Sequence, residues 1–179
     1  MNEQNFSLQP FNLTSSLSDL KITGSIARNG NKLTISYALL GDLTKVEIPT
    51  PADLLKRKYD LWEETCFELF VGIKNYPDYW EFNLSPAGHW NVFHLDNYRQ
   101  GLQEEMAVTS LPFSVEQKSD ALLVDLEVDL DQFILAEQSL EVGITTVIKS
   151  KDGNLSYWAL THCGEEADFH RRESFIVEL

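Results

Sequence analysis

Residues 20–40, LKITGSIARNGNKLTISYALL, constrain this chain more than any other stretch. Leu20, Ile22 and Ile26 alternate with smaller or polar residues, Asn29-Gly30 follows, and Leu33, Ile35, Tyr37 and Leu39 then resume the alternation. A period of two puts successive side chains on opposite faces of a strand. Asn-Gly tolerates the positive φ angles of a type I′ turn, so the stretch predicts a hairpin turning at Asn29-Gly30.

The pattern recurs downstream. In ALLVDLEVDL, Leu122, Val124, Leu126 and Val128 share one face, while Asp125, Glu127 and Asp129 face water. In LEVGITTVIKS, Val142, Ile144, Thr146 and Ile148 do the same, and Asp152-Gly153 offers a second hairpin turn into LSYWAL. The tail ESFIVEL reads as a closing strand. Helical spacing is confined to ADLLKRKYD and DLDQFILAEQ, each with room for a turn or two. Many short strands with no alternating helices predict an all-β, antiparallel β-sandwich of jelly-roll type. Neither repeats nor a linker divides the chain, so one domain over residues 1–179 is expected.

Composition narrows the partners. Twenty-eight acidic residues against 14 basic ones give a formal charge of −14, which repels phosphate backbones and anionic lipid surfaces. The sequence has no apolar run of about 18 residues, and MNEQNFSLQPF lacks the basic and apolar regions of a secretory signal. The expectation is a soluble, cytoplasmic protein that binds a small molecule and engages neither nucleic acid nor membrane. Cys66 and Cys163 are too few for a disulfide framework and are expected to be free thiols.

The stretch DLWEETCFELFVG, residues 60–72, mixes core and acidic character. Treated as a strand over 62–71, it sends Glu63, Thr65, Phe67, Leu69 and Val71 to a core, with Glu63 at the exposed beginning. Trp62, Glu64, Cys66, Glu68 and Phe70 go to the other face. In YWEFNLSPAG, Trp80, Phe82 and Leu84 oppose Tyr79, Glu81, Asn83 and Ser85, and Pro86 and Gly88 turn the chain into a third strand, HWNVFHLDNY. Paired as a meander, these strands gather Glu64, Glu68, Glu81 and Asn83 near Trp62 and Tyr79. Clustered like charges destabilise a sheet, which suggests a cation, a shared proton or a ligand rich in hydroxyl donors. A solvated outer face is the plain alternative. A Trp and a Tyr beside carboxylates and an amide favour a sugar site, where a ring covers the apolar face of a pyranose and polar groups meet its hydroxyls.

LWEETCFELFVG, YWEFNLSPAGHWNVF and YWALTHCGEEADFHRRESFIVEL, in that order, resemble the DOMON-like proteins related to family 9 carbohydrate-binding modules. The resemblance implies a β-sandwich that binds rather than catalyses, in a superfamily whose members hold sugars or haem. It implies that Trp62 and a second aromatic near the C-terminus, falling at Phe169, enclose a saccharide, with Glu68 accepting its hydroxyls. Glu81 stands about where the sugar binders carry an arginine. The full candidate ligand-binding set is Trp62, Glu64, Glu68, Tyr79, Glu81, Asn83, Arg99, Phe169, His170 and Arg171, with Phe169 and His170 as a mobile wall. Arg99 or Arg171 would neutralise the acids or hold a ligand carboxylate, whereas Arg172 reads as a rim salt bridge of little worth.

Other chemistries compete with this reading. Zinc would accept Cys66, His162, Cys163 and His170, with Asp168 as an additional donor, although HCGEEADFH lacks paired metal-site spacing. Haem would need an axial donor, and Met106 is the one internal methionine. Some relatives bind calcium, but the chain carries no clear calcium loop. No cofactor is therefore expected. A hydrolase built on Glu64 and Glu68, about 7 Å apart along a strand, is a further alternative. The chain has no G-x-S-x-G elbow, Gly-rich phosphate loop or H-E-x-x-H helix, which favours binding over catalysis. Trp80, Trp90 and Trp158 read as core residues.

Overall fold

The structure, a computed structural model, describes residues 3–12 and 17–179. Its strands are β1 (Gln4–Pro10), β2 (Lys21–Asn29), β3 (Lys32–Leu40), β4 (Cys66–Ile73), β5 (Tyr79–Leu84), β6 (Trp90–Leu95), β7 (Gln103–Glu104), β8 (Phe113–Gln117), β9 (Ala121–Asp129), β10 (Leu140–Lys149), β11 (Leu155–Ala159) and β12 (Val177–Glu178). They build an antiparallel β-sandwich, the predicted class. One sheet runs β1-β2-β3-β9-β8 and the other β7-β6-β5-β4-β10-β11, with β12 also on β10. Strand β1 belongs to both, pairing with β2 through Gln4–Leu8 and with β11 at Gln9 and Pro10.

Alternation decides what lies between the sheets. The first sheet contributes Ile22, Ile26, Leu33, Ile35, Tyr37, Leu39, Leu122, Val124, Leu126 and Val128; the second contributes Phe67, Leu69, Val71, Phe82, Val142 and Ile144. Trp80, Trp90 and Trp158 join this core as expected. Each fully buried aliphatic or aromatic side chain contributes about 1.5–3 kcal/mol of transfer free energy.

Three local readings are corrected and a fourth holds. Asn29 pairs with Lys32, so the hairpin loop is Gly30-Asn31, and only Gly30 has positive φ, at 60°. That is the pattern of a type II′ turn, which needs glycine at its first central position. ADLLKRKYD forms no helix. The Lys56 carbonyl accepts from Trp90 N–H and Lys58 N–H donates to the Trp90 carbonyl, while the Arg57 guanidinium lies 4.5 Å from the Trp90 ring and donates to Asn91 Oδ1 at 2.8 Å. These contacts hold the segment extended along β6. DLDQFILAEQ makes one turn, within the turn or two its spacing allowed, closed by Ile134 N–H to the Leu130 carbonyl, with Phe133 and Ile134 drawn into the core. Finally, β4 starts at Cys66. Residues Leu61–Glu63 instead form a 3-10 turn entered through Asp60 at φ 58°, and Thr65 binds inward, donating to the Glu47 carbonyl and accepting from Lys149 N–H.

The outer face of the second sheet is covered rather than solvated. All positions of β4 and β5 are buried. A second apolar cluster, Phe70, Tyr79, Phe93, Leu95 and Phe175, sits on that face, with Trp62 and Phe169 packed against it. The C-terminal segment supplies much of the cover. A Cβ on Gly72 would fall 2.3 Å from the Arg172 guanidinium and one on Gly143 would fall 2.8 Å from the Phe175 ring, so both glycines permit the close approach. Arg172 is therefore a pin rather than a rim charge. It donates to the carbonyls of Ile73, Tyr76 and Asp78 and pairs with Glu141 at 2.9 Å.

Candidate functional site

Strand pairing brings the two interior acids together. Glu68 on β4 lies opposite Asn83 on β5 and Thr145 on β10, while Glu81 lies opposite Phe70. Glu68 and Glu81 are therefore diagonal neighbours on one face, about 7–8 Å apart at most by strand geometry. Both are interior groups, at 2 % and 6 % exposure. Thr145 Oγ1 donates to Glu68 Oε2 at 3.3 Å and Asn83 Nδ2 donates to Glu81 Oε1 at 2.9 Å. Glu68 Oε1 and Asn83 Oδ1 are buried without a hydrogen-bond partner. Such orphaned acceptors are uncommon in native interiors and point to an unmet requirement for donors.

The electrostatics follow from burial. Removal from water raises the Glu68 carboxyl well above the usual carboxylate range, and the neighbouring Glu81 charge raises it further. Burial pushes Glu81 up to about 7, against the opposing effects of the Asn83 hydrogen bond and the Arg99 charge. His170 is held neutral over most of the pH range, its pKa lowered to about 4 first by burial and then by Arg99. Tyr79 rises to about 12, again mainly through burial. Arg99 N–H donates to the Tyr79 oxygen at 3.3 Å, and the Tyr79 hydroxyl is hydrogen-bonded to His170 Nδ1 at 2.8 Å. His170 Nε2 stands 3.9 Å from Glu81 Oε2.

Above these groups opens a cleft of about 570 Å³. Glu68, Phe70, Glu81 and Val147 contribute to its floor; Trp62 and Phe169 line it from different segments; Tyr157, Arg99 and His170 complete much of the rim. Trp62 is carried by the 3-10 turn, not by a strand, and meets Phe93 edge-on with ring centroids 6.0 Å apart. Phe169 packs edge-on against Phe70 and Tyr157. Asp168 fixes this wall: Tyr98 Oη donates to it at 2.6 Å, Arg99 at 2.8 Å, and the His170 backbone N–H at 3.1 Å. Arg99 adopts φ 52°, an uncommon conformation for a residue with a Cβ, held here by those contacts.

Of the sequence candidates, Trp62, Glu68, Glu81, Arg99, Phe169 and His170 line this cleft. Tyr79 and Asn83 lie buried against its lining groups through the hydrogen bonds above. Glu64 does not join them. It ends the 3-10 turn as an exposed residue, and Glu63, assigned to the core side, lines the cleft instead. The Glu64–Glu68 carboxylate pair therefore does not form, and the interior pair is Glu68 with Glu81. Arg171 lines an adjoining cavity and lies 3.6 Å from Asp168. Tyr157 was absent from the sequence set, although it alternates with the core residue Trp158 and so had to face outward. Thr145 and the anchoring role of Asp168 depend on strand neighbours and a loop fold that spacing does not encode.

The metal candidates are dispersed. His162 Nε2 meets the Gln9 carbonyl at 2.8 Å, Cys163 is exposed, Cys66 is buried, and His170 engages Tyr79. Among the described residues no group of three or more His, Cys, Asp or Glu is arranged to hold a metal ion. Both cysteines are free thiols, and burial raises the Cys66 thiol well above its ordinary value. Met106 is exposed.

No family model and no curated protein matches the chain. Solved structures do share its architecture. A Bacteroides uniformis protein proposed to bind carbohydrate superposes with a TM-score of 0.74 at 12% identity, over 97% of this chain and 84% of that one. A family 9 carbohydrate-binding module from Caldicellulosiruptor kristjanssonii in complex with cellotriose gives 0.57 at 7% identity, over 89% and 73%. A family 9 module from the same organism in complex with glucose gives 0.55 at 9% identity, over 94% and 78%. At these identities the likeness is one of fold.

Proposed function

We propose that this chain is a non-catalytic carbohydrate-binding protein that takes a small saccharide into the cleft between Trp62 and Phe169. The observation that carries the reading is the pair of orphaned acceptors, Glu68 Oε1 and Asn83 Oδ1, buried beside Glu81 on a sheet face lined by aromatic rings. A pyranose offers the complementary surface: apolar ring faces for Trp62 and Phe169, and hydroxyl donors for the acids beneath. The cavity volume falls within the range of small-molecule sites, and its mix of aromatic lining with few convergent polar groups is typical of them. Two architectural neighbours carry cellotriose and glucose, which supports the same ligand class here.

Each residue then has a task. Trp62 and Phe169 bracket the ring; Glu68 and Glu81 meet hydroxyls; Asn83 orients Glu81; and Asp168, by holding Arg99 and the His170 backbone, keeps the C-terminal wall in register. Burial raises both interior carboxyls, and a protonated carboxyl can donate one hydrogen bond as well as accept, which suits the dual character of a sugar hydroxyl. A single hexose should bind with a dissociation constant on the order of 0.1–1 mM, given modest efficiency per atom and the cost of immobilisation. Titration with hexoses and short glucose oligomers, followed by tryptophan fluorescence and calorimetry, tests the reading. Saturable binding that Trp62→Ala weakens at least tenfold is expected. Absence of binding across the panel, or equal affinity in the variant, overturns it.

A further inference from the structure

The floor of the cleft asks for more than hydroxyl donors. Among the described residues lining it, Glu63, Glu68 and Glu81 are acidic and Arg99 is the one arginine or lysine. Arg99 is already committed, with Nη2 2.8 Å from Asp168. The neighbouring cations of the covering segment are likewise engaged, Arg171 with Asp168 at 3.6 Å and Arg172 with Glu141 at 2.9 Å. Glu81 faces His170 Nε2 only at 3.9 Å, and burial keeps that imidazole neutral near pH 7. Glu68, at 2 % exposure, directs no bond from Oε1, and Asn83 Oδ1 beside it is also unpartnered. Two interior carboxyls and an amide oxygen thus share one sheet face with no basic side chain bound to either acid.

Resting on the saccharide reading above, we infer that the preferred ligand carries a protonated amine as well as ring hydroxyls, an amino sugar whose ammonium is received by Glu68, with Asn83 Oδ1 and Glu81 as neighbouring acceptors. An ammonium brings three donors and a positive charge to a site that has acceptors and no counter-ion, whereas a neutral hydroxyl brings one donor and leaves the acids to keep their protons. The gain is partial, because Glu68 must release its proton to form the ion pair. Charge-assisted hydrogen bonds nonetheless exceed neutral ones by enough to make about a tenfold preference the expected scale. Acetylation of the amine removes the charge and adds bulk, so N-acetylated sugars should lose the advantage.

The experiment is a calorimetric comparison at pH 7 of glucosamine, galactosamine and mannosamine with their parent hexoses and N-acetyl derivatives. At least one hexosamine should bind about tenfold or more tighter than its parent and its N-acetyl form. In Glu68→Gln the ratio should fall to about one, with circular dichroism verifying the fold; Glu81→Gln should narrow it and serves if the first variant misfolds. Hexoses that bind as tightly as every matching hexosamine overturn this inference while leaving the saccharide reading intact, as does a preference that survives both substitutions. Failure of every sugar, charged and neutral, to bind overturns the saccharide reading and the inference with it.

Discussion

Glu81 should make the protein less stable as the pH rises, and replacing it with glutamine should remove that loss. Its carboxyl ionises near 7 when folded, because burial penalises the charge, against 4.5 in the ordinary state. The native protein therefore binds more protons than the unfolded chain between those values, so its contribution falls as pH climbs through this window and reaches its full penalty above 7. A shift of this size corresponds to about 3 kcal/mol at 1.36 kcal/mol per pH unit. Glu81→Gln retains an oxygen to accept from Asn83 Nδ2, but it turns an amide N–H toward the His170 side, which could cost about 1 kcal/mol. The net expectation at pH 8 is a gain of about 2 kcal/mol, with little change at pH 5. Removing the Glu81 charge also relieves Glu68, which adds in the same direction. Urea unfolding of both proteins at pH 5 and pH 8 measures the difference. If the two free energies differ by the same amount at both values, Glu81 is not held protonated by burial, and the electrostatic description of the floor fails.

Three further outcomes follow from other parts of the cover. His170 is neutral in the fold with a pKa of about 4 against 6.5 ordinarily, so it contributes stability above 6.5 that is lost as pH falls toward 4, about 3 kcal/mol in all; His170→Gln should flatten that acid limb in urea titrations. Arg172→Met leaves Glu141 without its partner and takes the guanidinium donor away from the Ile73, Tyr76 and Asp78 carbonyls, of which Ile73 keeps the Tyr76 N–H. It should cost about 2–4 kcal/mol, with faster amide exchange across residues 165–176 as the local sign. Gly143→Ala places a methyl 2.8 Å from the packed Phe175 ring and should cost about 1–3 kcal/mol by overpacking, visible as a lowered Tm.

The strands were legible because two-residue alternation and turn dipeptides are local properties. Leu33 to Leu39 and Leu122 to Val128 sit inside as their spacing implied. The shared face of Glu68, Glu81 and Asn83 was legible for the same reason, once the meander was assumed. What alternation could not give was the depth of those acids. Their burial depends on Phe175, Arg172 and Phe169 arriving from a segment about 90–100 residues later, over glycines at 72 and 143 whose role is only apparent with the cover in place. The start of β4 was misjudged because Trp62 and Glu64 fit a strand pattern, whereas the Thr65 side chain bonds inward to Glu47 and accepts from Lys149 N–H where the strand begins. Arg172 looked like a surface charge for a similar reason: its partners are carbonyls, which no residue pattern marks.

The measurement that bears most directly on the account is a crystal structure of the protein soaked with a saccharide that it binds in solution. The account predicts a sugar ring between Trp62 and Phe169, with polar contacts to Glu68 and Glu81. A saccharide bound elsewhere on the sandwich, with this cleft holding none, would contradict it.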